Sequence, residues 1–290
     1  TISYRMCSNA GSMDHSEALY ERANRAIGRY LEDHVKPALG ELQGEYVLRA
    51  FARAWENHKL MVKWLQQLFR HLDDGYIATS SVATLTSCGL RQFFDIAFHR
   101  AKRAVRAALI AAVNRERDGE AVDRALLKSV IDIFPVMGLC SKSTDLKTVA
   151  EVLKMEPDLD VYVAELEDDF LAASGEYYAR KSAAWLDACS TPAYLIEAEA
   201  ALHAEGARVR EYLHSSTEPK LLEVVERELL TKHKAALLSR EGSGCVALLA
   251  QDRGDDLARM FRLFARVADG LEPMAKMFTD HAKERGRAWA

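Results

Sequence analysis

Apolar residues recur every three or four positions along nearly all of this 290-residue chain, and strand-like alternation is scarce. That periodicity confines the fold to packed helices. The punctuation agrees. Only 6 prolines and 15 glycines interrupt the sequence, and Pro192, Pro219 and Pro273 each stand where a first helical turn would begin, a place where a missing N–H costs little. Ala, Leu, Glu, Arg and Lys dominate, all of them good helix formers.

Period and breakers together predict a helix from Ser16 to Pro37, carried by Leu19, Ala23, Ile27, Tyr30, Leu31 and Val35, with Asp14 as its N-cap. Further helices are predicted over 45–73, ending before Gly75, over 90–117, closed by Asp118 and Gly119, and over 121–136. In the last of these Pro135 should loosen the final turn and Gly138 should end it. Residues 141–160 are polar and irregular, and read as a connector with one short helix and a boundary between units. Helices resume over 161–186, 192–213, 218–239, 245–249, 255–269 and 273–283. Short connections make neighbours antiparallel, and the expected architecture is an all-α, elongated helical solenoid. No short repeat of fixed period is visible.

Composition sets the partners. A net charge of -4 on 39 basic and 43 acidic side chains gives no general attraction to nucleic acid or to an anionic membrane. No apolar run reaches the roughly 20 residues that span a bilayer, and no signal peptide opens the chain. Thr1 in place of an initiator Met is what a piece of a longer chain would show. Cys7, Cys88, Cys140, Cys189 and Cys245 form no CxxC pair, and read as free thiols in a reducing compartment.

Catalytic and metal chemistry find no foothold. The nine histidines make no HExxH, HxxxH or Cys/His cluster, so neither a metal nor another cofactor is expected. Glu165, Glu167, Asp168 and Asp169 read as a solvated helix face, and Arg100, Lys102, Arg103 and Arg106 as another. Gly242-Ser243-Gly244 lacks the strand and the Lys-Thr of a phosphate loop, and reads as a turn. No nucleophile, base and orienting group are brought together, so enzyme activity is not expected and no residue is a catalytic candidate.

The segment EYVLRAFARAWENHKLMVKWLQQLFRHL is the informative one. One stripe comprises Leu48, Phe51, Trp55, Val62, Leu65, Phe69 and Leu72, with His58 filling its gap. A second comprises Met61, Trp64, Leu68 and His71. Together they exceed the roughly 100° arc that a helix packed on one side needs. Either the helix is covered on both sides, or the second stripe is a docking surface with Trp64 as a large rigid anchor. Periodicity alone leaves both open.

Four stretches in order, LRAFARAWENHKLMVKWLQQLFRHLD, NRERDGEAVDRALLKSVIDIF, REYLHSSTEPKLLEVVERELL and SGCVALLAQDRGDDLARMFRLFARVADGLEP, resemble the N-terminal region of cullins, most closely the cullin-1 branch of plants. The resemblance runs from about Tyr4 to the last residues, interrupted near 141–160, which looks longer than the plant pattern. It implies five-helix cullin repeats: a first over 1–145 with its N-terminal helices incomplete, a second over 146–250 and part of a third over 251–290.

The same resemblance implies a non-catalytic scaffold of an SCF-type cullin-RING E3 ubiquitin ligase, working in the cytoplasm and nucleus. Its partner would be a Skp-family adaptor carrying an F-box substrate receptor. RING-protein binding is not expected, because the C-terminal cullin domain that supports it is not in this sequence. The implied adaptor-binding residues are Met61, Trp64, Gln67, Leu68 and His71 on the helix above, with Tyr4 and Met6 from the end of an earlier one. His71 departs from the tyrosine usual in cullins. Two other readings stand beside this one: a truncated cullin that competes for adaptor without a ligase module, and a helical tethering or trafficking subunit. Binding to a Skp-family adaptor separates the last from the other two.

Overall fold

The computed structural model describes residues 15–288, which places Tyr4, Met6 and Cys7, as well as the predicted cap Asp14, outside the described residues. Among the described residues the secondary structure is helical and no strand occurs. Packing divides the chain into two compact units, Thr1–Asp168 and Asp169–Ala290.

The first unit is assembled from α1 (Ser16–Tyr30), α2 (Lys36–Gly40), α3 (Gly44–Leu68), α4 (Arg70–Leu72), α5 (Ala78–Ser80), α6 (Leu85–Gln92), α7 (His99–Arg117), α8 (Arg124–Ile131), α9 (Ile133–Lys142), α10 (Val149–Val152) and α11 (Asp160–Tyr162). α3 is central to it and packs against α6, α7 and α8. Its inward residues Leu48, Phe51, Trp55 and Val62 are buried, as are Phe93, Phe98 and Val105 of the neighbouring elements. The ring of Phe51 lies 6.0 Å from Phe93, and that of Phe98 meets Phe134 edge-on at 5.2 Å.

Several helices run on through wide turns in which a backbone N–H reaches five residues back instead of four. One at Leu31–Val35 joins α1 to α2, with the Lys36 N–H bonded to the Leu31 carbonyl. The predicted stop at Pro37 is therefore displaced to Gly40. The wide turn puts Pro37 in the first turn of a renewed helix, where its missing N–H leaves nothing unpaired. A second wide turn, Asp73–Ile77, carries the chain past Gly75, and a third, Phe93–Phe98, joins α6 to α7. The helix predicted from residue 90 starts earlier, at Leu85, because Thr84 caps it by accepting from the Ser87 N–H at 3.1 Å.

Gly138 does not end its helix, which continues to Lys142. It sits where the Asp158 backbone passes: a methyl group there would fall 2.3 Å from the Asp158 carbonyl oxygen. The requirement is close approach rather than termination. Pro135 likewise loosens no final turn, because the helix restarts at Ile133 and carries Pro135 in its first turn.

Residues 141–160 contain one short helix, α10, and are strapped to the first unit. Thr84 Oγ1 donates to the Leu146 carbonyl at 2.6 Å, Thr86 Oγ1 donates to that of Lys147 at 3.0 Å, and the Leu146 N–H donates to Ser87 Oγ at 2.7 Å. Leu146 and Val152 are buried, and Lys142 Nζ pairs with Asp158 at 2.7 Å. The division into compact units falls later, between Asp168 and Asp169.

The second unit comprises α12, which begins at the division (Asp168–Ala188), then α13 (Thr191–Tyr212), α14 (Thr217–Glu226), α15 (Lys234–Ser239), α16 (Cys245–Ala250), α17 (Gly254–Phe264) and α18 (Leu271–Ala288). Its core holds Leu195, Val225, Leu229, Leu248, Met260 and Phe264. Two buried polar side chains are matched: Tyr194 Oη donates to the Leu229 carbonyl at 2.7 Å, and the buried Glu205 carboxylate accepts from Tyr178 Oη and Arg208 Nη1, each at 2.6 Å. Arg240 donates to the Cys189 and Leu186 carbonyls at 2.6 and 2.8 Å, closing the end of α12.

Candidate functional site

Helix geometry fixes which side chains α3 turns outward. At 100° per residue, Trp55 and Trp64 are half a turn out of phase. The structure places them so, with Trp55 only 4% exposed and Trp64 61% exposed. Trp64 and Leu68 of the second stripe therefore lie opposite the core stripe. Trp64 is joined on the outward face by Leu68, 54% exposed, and by Gln67, also exposed; Met61 is half-buried at its edge. Of the two inward residues nearest the end of α3, Leu65 and Phe69 are half-buried, and Phe69 packs with Leu72, Ala23 and Ile77.

His71 comes after a break. Phe69 leaves helical geometry at φ -107° and ψ 20°, ending α3, and His71 sits half-buried on the short α4. The structure thus brings Met61, Trp64, Gln67 and Leu68 to one helix face and puts His71 past its end. Tyr4 and Met6 fall outside the described residues.

Sequence reasoning missed Leu60. It is 53% exposed and stands one turn before Trp64, so Leu60, Trp64 and Leu68 make a continuous apolar ridge at i, i+4, i+8. The i, i+4 spacing was the available signal. Beside the ridge a groove of about 460 Å3 separates α3 from the Thr148–Leu153 segment, with Leu153 48% exposed on its far side. Lys59 and Lys63 line the groove. Lys59 pairs with Glu56 at 2.8 Å and lies 5.6 Å over the Trp55 ring.

The inward face is sealed by aromatic contact and one buried imidazole. His58 Nε2–H donates to the Gly89 carbonyl at 2.8 Å, its ring 4.9 Å from that of Phe93. Burial lowers its pKa to about 4, against the weaker opposing effect of the Gly89 hydrogen bond. Gly89 is required by the packing, since a methyl there would meet the Val62 side chain at 2.7 Å.

Other candidate chemistry resolves into structure. Of the acidic run, Asp168 and Asp169 are exposed, but Glu167 is buried and Glu165 pairs with Lys102 at 2.6 Å. That pairing also takes up Lys102 and Arg106 from the basic run, because α7 and the Val163–Glu167 turn pack together. Gly242 adopts φ +73°, and a methyl at Gly244 would strike the Leu238 and Arg240 backbone, so the GSG stretch is a tight turn. Among the described residues no three His, Cys, Asp or Glu side chains converge as a metal site, and no helix is long and apolar enough to cross a membrane. Burial pushes the Cys140 thiol up to about 12 and also raises Cys245.

With the geometry in hand, comparison with known proteins gives one family. The cullin alpha solenoid domain matches residues 1–290. The chain is 40% identical to Cullin-1 of Oryza sativa subsp. japonica and 38% identical to Cullin-2 of Arabidopsis thaliana, in each case over 99% of this chain and 36% of the relative. It is 29% identical to Cullin-3 of Dictyostelium discoideum over 98% of this chain and 35% of that protein. The chain thus spans little more than a third of the length of these relatives.

Proposed function

The chain belongs to the cullin family, and on that footing we propose that it is a non-catalytic scaffold arm of an SCF-type cullin-RING ubiquitin ligase, docking a Skp-family adaptor and, through it, an F-box substrate receptor. The docking surface in this reading is the outward face of α3. The observation that carries it is the exposure of Trp64 and Leu68, with Leu60 continuing the row to the edge of the groove, on a helix whose opposite face is already buried. Large apolar side chains left open in a row are what an interface core needs, and aromatic anchors dominate such interfaces.

Met61 and Gln67 contribute edge contacts in this reading, His71 extends the surface past the end of α3, and Tyr4 and Met6 are further adaptor-binding residues of the same proposal. The division into repeats over 1–145, 146–250 and 251–290 belongs to the same proposal. The decisive experiment mixes the purified chain with a Skp-family adaptor and follows complex formation by calorimetry. A 1:1 complex weakened by Trp64→Ala is expected. No complex at tens of micromolar protein would remove the adaptor reading and favour a tethering role.

A further inference from the structure

We infer that the docking surface does not end at α3 but continues onto the Thr148–Leu153 segment, so that the adaptor edge enters the groove with an apolar side chain between Leu60 and Leu153 and a carboxylate facing Lys63. This rests on the adaptor reading above and specifies the chemistry of the partner.

Three observations support it. The first is continuity. Leu60 and Gln67 line the groove and also belong to the outward face of α3, so ridge and groove are one surface. The second is apolar matter on both walls, with Leu60 and Leu153 each about half open to solvent across a space of about 460 Å3. A groove of that size has room for one or two side chains of a partner. The third is charge. The ionisable groups lining the groove are Glu56, Lys59 and Lys63; Glu56 is already paired with Lys59, so Lys63 leaves a positive excess on the rim. Cations at an interface rim select and steer an acidic partner.

The second wall is also preformed. Thr148 Oγ1 caps α10 by accepting from the Glu151 N–H at 3.2 Å, Leu146 and Val152 are buried at its base, and Thr86 Oγ1 donates to the Lys147 carbonyl. A wall fixed before binding loses little conformational freedom on binding.

The test compares wild type, Lys63→Glu, Leu153→Asp and Trp64→Ala for affinity toward a purified Skp-family adaptor at low and high salt, with melting temperatures as the folding control. Lys63→Glu and Leu153→Asp should each weaken binding by about tenfold. Lys63→Glu should also flatten the salt dependence, and because both positions are exposed the melts should be unchanged. Hydrogen exchange of the 148–153 amides should slow when adaptor is added, a readout independent of the variants. If Trp64→Ala loses binding while both groove variants bind as wild type and the 148–153 amides exchange unchanged, the adaptor reading stands and the second wall is wrong. If the wild type binds no adaptor, both fall together. If Leu153→Asp instead abolishes self-association of the chain, the groove belongs to a second copy and the inference is overturned.

Discussion

Trp55 and Trp64 stand on opposite faces of one helix: nine residues, or about two and a half turns, separate a ring that is 4% exposed from one that is 61% exposed. The Trp55 ring centre lies 5.1 Å from that of Phe93, inside the first unit. The same residue type thus has two roles within one segment, and the two roles respond differently to truncation.

Trp55→Ala removes a buried indole and should cost about 3–5 kcal/mol of stability, a large share of a domain's margin. Trp64→Ala should change stability by no more than about 0.5 kcal/mol, yet weaken adaptor binding by about 2 kcal/mol, roughly 30-fold. Paired urea melts and affinities check this. Equal destabilisation by the two variants, with binding intact, would show that Trp64 is not a docking residue.

His58 gives the fold a pH dependence with a definite sign. Its Nδ1 has no hydrogen-bond partner among the described residues, so an imidazolium there would be poorly served. Burial lowers the folded-state pKa from the ordinary 6.5 to about 4. Between those values the unfolded chain binds more protons than the folded one, so stability is fully present above pH 6.5 and drains away as pH falls toward 4, by roughly 3 kcal/mol. His58→Phe should lose this component, and denaturation midpoints at pH 7.5 and 4.5 should then differ less than in wild type. An unchanged difference would mean that other groups carry the effect.

Two glycines should respond oppositely to a methyl group. Gly138→Ala forces the Asp158 carbonyl away from α9 and should destabilise by about 1–3 kcal/mol. Gly75 has nothing within 4 Å of such a methyl and no positive φ, so Gly75→Ala should stabilise by about 0.4–1 kcal/mol by restricting the unfolded chain. Thermal melts of the two variants against wild type decide it.

The thiols should fall into two classes. Cys140 and Cys245 are buried with raised pKa values, whereas Cys88 and Cys189 are partly exposed. A maleimide pulse on the native chain should label Cys88 and Cys189 well before Cys140, and incubation with charged ubiquitin-activating and ubiquitin-conjugating enzymes should leave no reducible ubiquitin adduct on any of them. Fast labelling of Cys140 would contradict its burial, and such an adduct would contradict the non-catalytic scaffold reading.

Helix existence was legible because buried faces impose a period. The helix predicted over 121–136 is present as α8 and α9, and Asp118 with Gly119 mark the end of α7. The wide turns were not legible, because one residue more per turn leaves backbone angles nearly helical and has no compositional mark; Pro37 and Gly75 were therefore read as stops. Gly138 misled for a related reason. A glycine needed for close approach and a glycine that ends a helix look the same until the passing backbone is seen. At the candidate site the choice of Trp64 as outward and Trp55 as inward followed from the family resemblance, although the nine-residue spacing already contained it. The break at Phe69, which takes His71 out of the α3 register, had no such signal.

The wide turns also decide where the chain can change length. At Leu31–Val35 the hydrogen-bond ladder already contains one surplus residue, since Lys36 bonds back to Leu31. Deleting a single residue there would restore ordinary helical pairing and leave every later side chain facing the direction it faces now. The same deletion within α3 would rotate all that follows by about 100°, carrying Trp64 off its face. Insertions and deletions of one residue are thus tolerable at a few defined points, and the spacing of those points is a map of where related chains can differ in length without losing the same surface.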